Sequence, residues 1–220
     1  MSEAFQTLFV RQTAFGTLAA VSLPSGLEPV GGAVLARLHD AEQGEAATHR
    51  ARRQIEYAGG RIAWHAAGGT GPLLTGSERQ PLVDGPWSVS ISHKDDVALA
   101  LVAPLGEGTV GLDLEGGGRE PLNIASRVLR PEELDEFDAL PIEQRWPRLM
   151  RAFALKEATY KAIYPHVQRY VAFHEARVRI EPPSVELFPS TPFGVPLTLE
   201  AALESLDVRV VAMVRAKRSG

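Results

Sequence analysis

The chain has 220 residues, 45% of them apolar, a formal net charge of −4 and no cysteine. A chain of this length can bury roughly 70% of the surface its unfolded form exposes, so a core needs neither a disulfide nor a metal staple. The absence of thiols excludes disulfides, zinc–thiolate sites and thiol catalysis and fits a reducing compartment, while the mild acidity excludes a global attraction to nucleic acid.

The N-terminal segment MSEAFQTLFVRQTAF has no basic stretch followed by an apolar run, and no apolar stretch reaches the ~18 residues of a membrane span. A soluble, unprocessed, cytoplasmic protein without a membrane contact is expected. A helical stretch is predicted from about Pro29 to Ala67, and its HRARRQIEYAGGRIAWHA portion carries Arg50, Arg52, Arg53 and Arg61. Arg53 and Arg61 share one helix face if Gly59–Gly60 does not break the helix. WSVSISH and VALALV read as two strands joined by Lys94, Asp95 and Asp96, a hairpin with His93 at the end of its first strand. The loop APLGEG, Ala103 to Gly108, lies near the middle of the chain. VGLDLE follows as a strand, then a Gly116–Gly118 loop, then helical signals from Pro131 to Tyr164 that Pro165 is expected to end. ARVRI, SVELF, PLTLE and VRVVAMV read as strands in the tail. Each half thus combines helix with antiparallel strands, an α+β pattern, and the expected halves are 1–106 and 107–220.

Two places carry chemistry that a plain core does not require. In VGLDLE, strand alternation turns Val110, Leu112 and Leu114 one way and Gly111, Asp113 and Glu115 the other. Two carboxylates on one strand face stand roughly 7 Å apart at Cα and repel unless water, a Lys or Arg, or a cation lies between them. In RLMRAFALKEATYKAIYP, Lys156 falls inside an apolar stripe of Leu149, Ala152, Phe153, Tyr160, Ile163 and Tyr164. A lysine there must snorkel or meet an anion. Glu157 and Lys161, four residues apart, make an ordinary surface ion pair when taken alone. A solvated face is the simpler account of the arginines alone, as a strand-end polar residue is of His93. Taken together, the acids Asp113, Glu115 and Glu157 suit a hard divalent cation, and Arg53, Arg61, His93, Lys156 and Lys161 suit phosphate oxygens. No Walker GxxxxGK[ST], GxGxxG, GxSxG or HExxH pattern offers a competing device.

SISH, VGLDLE and FALKEATYK, in this order and spacing, resemble the motifs of the 4'-phosphopantetheinyl transferase superfamily, in its longer two-half type that activates surfactin-like synthetases. RRQIEYAGGR resembles that family's Arg-rich helix, and YPHVQRYVAFHEARVRI the segment after its second signature. The resemblance implies an α+β pseudodimer of two similar halves, each with antiparallel strands packed on a helix, holding coenzyme A in the cleft where they meet. It implies transfer of the phosphopantetheine arm of coenzyme A to a serine of an apo acyl or peptidyl carrier protein or synthase carrier domain, with release of 3',5'-ADP. It further implies Mg²⁺ on Asp113, Glu115 and Glu157, phosphate contacts from Lys156, Lys161 and His93, and a 3'-phosphate contact from Arg53 and Arg61. A monomer that binds no nucleic acid is expected.

Glu133 matches an acid proposed as general base in some relatives. Its plainer role is that of a helix-start acid after Pro131, although Arg130 stands where a reciprocal cap would want Ser or Thr. The chain departs from the family pattern in GSERQP, where Arg79 replaces a glycine, at Thr75 in place of a lysine, and at Phe153 in place of the usual Trp. A Mg²⁺-dependent nucleotide pyrophosphate hydrolase and an inactive carrier-binding module are the alternatives.

Overall fold

The computed structural model describes residues 4–116, 122–188, 194 and 196–219, so Gly117 and Gly118 of the expected glycine loop lie outside the described residues. The chain divides into two compact units, Met1–Glu107 and Gly108–Gly220. Both are α+β with antiparallel pairing throughout.

The first unit contains β1 (Thr7–Thr13), β2 (Gly16–Ser22), α1 (Gly32–Leu35), α2 (Asp40–Ala46), α3 (Ala51–Ala66), β3 (Leu73–Thr75), β4 (Pro81–Val83), β5 (Trp87–Lys94) and β6 (Val97–Pro104). Its main sheet has the order β1-β2-β6-β5, and β3 with β4 forms a separate hairpin. The helical stretch expected from Pro29 to Ala67 is three helices, the last starting after an extended Arg50. Gly59 and Gly60 do not break α3. They are the places where it crosses the sheet: a Cβ on Gly59 would stand 2.2 Å from Leu23 Cδ2, and one on Gly60 2.9 Å from Ile91 Cγ2. Burial of the helix face against β2 and β6 outweighs the ~1 kcal/mol that a glycine costs inside a helix. The β5–β6 hairpin turns at Asp95 and Asp96, with Asp95 in the left-handed region that Asp tolerates.

The second unit contains β7 (Thr109–Gly116), α4 (Ala125–Val128), α5 (Pro131–Asp138), α6 (Ile142–Val167), β8 (Ala176–Ile180), β9 (Pro183–Leu187), β10 (Leu197–Leu206) and β11 (Arg209–Arg218). Its sheet has the order β10-β11-β7, and β8 pairs with β9. The helix α6 packs on β7 and β11 over a core that includes Leu149, Leu155, Ala158, Ala162, Ile163, Ala212 and Val214. Gly111 shows how close that packing is: a Cβ there would lie 1.8 Å from the Ala158 carbonyl oxygen and 2.6 Å from the Ala162 nitrogen. The glycine of VGLDLE is therefore the seat of α6, and it fixes which face of β7 the helix covers. Pro165 does not end α6, which continues to Val167 and closes at Gln168 in the left-handed conformation. A proline this near the C-terminus forfeits the bond to the carbonyl one turn back, and the packed face of the helix holds the last turn.

Among the described residues, no helix is long and apolar enough to cross a membrane.

Candidate functional site

In the second unit β7 carries Asp113, which is buried, and Glu115, which is partly exposed, on the face that Gly111 presents to α6. Lys161 lies one helical turn beyond Glu157 and extends to the strand. Its Nζ donates to Asp113 Oδ1 at 2.6 Å and to the Leu112 carbonyl at 2.9 Å. The lysine thus meets part of the repulsion that two carboxylates on one strand face would create. Glu157 is drawn into the same field. Burial raises its pKa above the ordinary carboxylate value; Lys161 lowers it in part, and the charges of Asp113 and Glu115 raise it again. Three carboxylates and one ammonium therefore share this end of the β7–α6 contact.

Among the described residues no three His, Asp or Glu side chains close on a point that could hold a metal ion. Mg²⁺, however, commonly takes one or two carboxylates and completes its shell with water and substrate phosphate. The donors at this place are hard anionic oxygens and include an acid whose charged form is disfavoured by burial first and by its acidic neighbours second. Their chemistry fits that ion.

The other two acid and lysine candidates are elsewhere in the unit. Lys156, 2% exposed, donates to Glu133 Oε2 at 2.5 Å, to the Val128 carbonyl at 2.8 Å and to the Phe173 carbonyl at 3.1 Å. Glu133, 6% exposed, also accepts from the Arg130 N–H at 2.8 Å and from the Val178 N–H at 2.6 Å. Only the acid half of a capping box forms here, because a guanidinium has no acceptor to return. The apolar stripe around Lys156 does contain an anion, and that anion is Glu133. The residues expected as a proton acceptor and as a coenzyme A contact are thus both enclosed, with each ammonium donor taken. Burial lowers the Lys156 pKa, and the hydrogen bond and charge of Glu133 partly restore it.

In the first unit, α3 and the end of β5 bring Arg53 and His93 together. Arg53 Nη1 lies 3.4 Å from His93 Nε2, and Glu56 Oε2 stands 3.7 Å from Arg53 Nη1 and 3.6 Å from His93 Nε2. Glu56 escaped the sequence reading, although its i+3 spacing from Arg53 and i+4 spacing from Arg52 were visible. Arg61 does not join this group. It is 5% exposed, donates from Nε to the Leu73 carbonyl and from Nη2 to Thr75 Oγ1, both at 2.9 Å, and stacks 3.6 Å from the centre of the Tyr57 ring. Glu45 completes the network, accepting from the Tyr57 hydroxyl at 3.0 Å and the Thr75 N–H at 3.1 Å. Arg61 therefore ties α3 to β3, and Thr75, where relatives are expected to carry a lysine, is part of that tie. His49, also missed, has its pKa lowered by burial and by the charges of Arg53 and Arg61, so it lies within the field of both arginines.

Comparison with known proteins joins these features. Residues 109–199 match the model of the 4'-phosphopantetheinyl transferase superfamily, and residues 41–103 match that of the 4'-phosphopantetheinyl transferase N-terminal domain. The chain is 30% identical over 151 residues to the 4'-phosphopantetheinyl transferase Svp of Streptomyces mobaraensis, a match covering 63% of this chain and 61% of that protein. It is 29% identical over 112 residues to the 4'-phosphopantetheinyl transferase PptT of Mycobacterium tuberculosis, covering 50% of this chain and 48% of the relative. The matches thus span less than two thirds of either relative's length. Among solved structures, a holo-(acyl-carrier-protein) synthase from Bacillus anthracis in complex with CoA (3',5'-ADP) aligns with TM-score 0.40 and 20% identity over 52% of this chain and 97% of that one. The holo-[acyl-carrier-protein] synthase of Thermotoga maritima aligns with TM-score 0.40 and 25% identity over 51% and 64%. Because two models of one family, in the right order, cover the Arg-rich helix, the SISH strand, the β7 acids and the KEATYK helix, the chain belongs to the 4'-phosphopantetheinyl transferase superfamily.

Proposed function

We propose that this protein transfers the 4'-phosphopantetheine arm of coenzyme A to a serine hydroxyl of an apo carrier domain and releases 3',5'-ADP. The supporting observation is the shared environment of Asp113, Glu115, Glu157 and Lys161 where α6 meets β7. In the reaction the serine oxygen forms a bond to the phosphorus that bears the pantetheine arm, the bond to the bridging pyrophosphate oxygen breaks, and the serine proton leaves to a base. Asp113, Glu115 and Glu157 would hold Mg²⁺, which when bound neutralises pyrophosphate charge. Lys161 supplies a positive charge to the same phosphates, and its placement by Asp113 means that it is oriented before substrate arrives. His93 and Arg53 are assigned to nucleotide phosphate, the latter to the 3'-phosphate. Glu157 would also accept the serine proton, on the carboxylate oxygen that it does not give to the metal.

The proposal takes residues 1–106 and 107–220 as the two halves of a pseudodimer that acts as a cytoplasmic monomer. In each unit one long helix packs on an antiparallel sheet, which is the similarity such a duplication requires.

Intact-mass measurement tests the reaction. Incubation with an apo carrier domain, coenzyme A and Mg²⁺ should add one phosphopantetheine to the carrier, and chelation of Mg²⁺ should stop it. Release of 3',5'-ADP with no change in carrier mass would instead identify a hydrolase that uses water as acceptor.

A further inference from the structure

We infer that Lys156 and Glu133 form an internal clamp that sets the rotation of α6, and with it the direction in which Glu157 faces β7, instead of touching coenzyme A or the acceptor serine. The inference rests on the function proposed above for its consequence in catalysis, and on geometry alone for the clamp itself.

An ammonium has three donors, and all three of Lys156 are used: on Val128 at the end of α4, on Glu133 in α5 and on Phe173 in the 3₁₀ turn before β8. Glu133 in turn accepts from Arg130 before α5 and from Val178 in β8. One ion pair therefore joins α4, α5, α6, the 3₁₀ turn and β8. Neither member has the exposure that a ligand or base needs. Successive helical residues are about 100° apart, so a lysine pinned on one flank of α6 fixes where its neighbour Glu157 points. Gly111 sets the distance between α6 and β7, and the clamp sets the turn of the helix about its own axis. Positioning by a buried pair has a particular signature. Removing one partner leaves a buried group uncompensated, whereas removing both charges together is far better tolerated.

The test is a double-mutant cycle of Glu133→Gln, Lys156→Met and the combination, followed by thermal unfolding and by transfer kinetics at a temperature where every variant is folded. Each single substitution should lower Tm by something on the order of 10 °C, and the double variant should lose clearly less than the sum. Lys156→Met should also raise the Mg²⁺ concentration needed for half-maximal transfer while leaving KM for coenzyme A nearly unchanged, and the double variant should return toward the wild-type value. Three outcomes overturn the clamp: single losses that add in Tm, a Lys156→Met protein of normal Tm with weakened coenzyme A binding, or a Glu133→Gln protein of normal Tm whose pH–rate profile lacks its acidic limb. The unfolding cycle needs no transfer assay. A wild-type protein that modifies no carrier would therefore overturn the proposed function and still leave the unfolding data to decide the clamp.

Discussion

Lys161 Nζ stands 2.6 Å from Asp113 Oδ1, so the acidic face of β7 is met by a lysine from the helix that crosses it. The pair links the two motifs of the second unit, since Asp113 comes from VGLDLE and Lys161 from KEATYK. If Lys161 serves the phosphates, Lys161→Ala should reduce turnover by about 10²–10³-fold with an unchanged circular dichroism spectrum. Asp113→Ala should abolish Mg²⁺-dependent transfer, because it removes a proposed metal ligand and the anchor of Lys161 together. Full activity of the Asp113 variant at ordinary Mg²⁺ would refute the metal assignment.

The two arginines of the Arg-rich helix should separate experimentally. Arg53 is half-exposed beside His93, so Arg53→Ala should weaken coenzyme A binding by about 1.5–3 kcal/mol while leaving 3'-dephospho-coenzyme A binding nearly intact, as measured by calorimetry. Arg61 is enclosed, and Arg61→Ala should lower the stability of the first unit by a similar amount, through lost hydrogen bonds to Leu73 and Thr75, and weaken both ligands alike. His49 reports on the same place. Its pKa is held low by burial and by Arg53 and Arg61, and a phosphate dianion nearby should raise it, so its imidazole NMR titration should move upward with coenzyme A. An unmoved titration would place the 3'-phosphate elsewhere.

Gly111 carries a geometric prediction. Gly111→Ala puts a methyl group into the Ala158 carbonyl, and two backbones cannot both keep their places. A loss of about 1–3 kcal/mol in stability is expected from overpacking, along with weakened transfer as α6 lifts and Lys161 leaves Asp113. Normal stability and normal Mg²⁺ dependence in this variant would show that the helix can slide without cost.

The first unit should show a pH window of its own. Glu42 is fully buried and bonded to His65 Nε2 at 2.9 Å. Burial pushes the Glu42 pKa up, but hydrogen bonds from His65 and from the Leu73 and His39 N–H groups, with the His65 charge, hold it below its ordinary 4.5. His65 is raised above its ordinary 6.5 by the hydrogen bond to Glu42, against the effect of burial, with help from the Glu42 charge and the Gly69 carbonyl. A raised histidine stabilises fully below 6.5 and loses that contribution as pH climbs through its folded value, whereas a lowered carboxylate stabilises above 4.5 and loses it as pH falls through its own. The pair thus contributes most between about 4.5 and 6.5. His65→Gln should flatten the decline of Tm on the alkaline side of that window. Parallel Tm–pH curves for variant and wild type would show that the pair is not linked to folding.

Much of this was legible locally. Strand alternation put Asp113 and Glu115 on one face of β7, and β5 and β6 form the expected hairpin around Asp95 and Asp96. Packing overrides propensity at Pro165, which is expected to end its helix and lies inside α6. Gly59–Gly60 lies within α3, as a helix running to Ala67 requires, with its face held against a sheet. The bond that Glu133 accepts from the Arg130 N–H is that of a helix-start acid, whereas its bonds from Val178 and Lys156 are tertiary and carry no local signal.

The sequence by itself determined the kinds of group present, their faces on each element and the family whose motifs they form, because these depend on residue type and on periods of two or about 3.6. Which charge meets which was decided by tertiary structure. Lys156 and Lys161 both project from one helix, yet the first is enclosed with Glu133 and the second stands at Asp113. Arg53 and Arg61 share a helix as well, yet only Arg61 is buried beneath β3. The physical reason is that the free energy of a charge depends on desolvation and on the groups within a few ångströms of it. Those neighbours come from segments distant in sequence, so no local pattern specifies them.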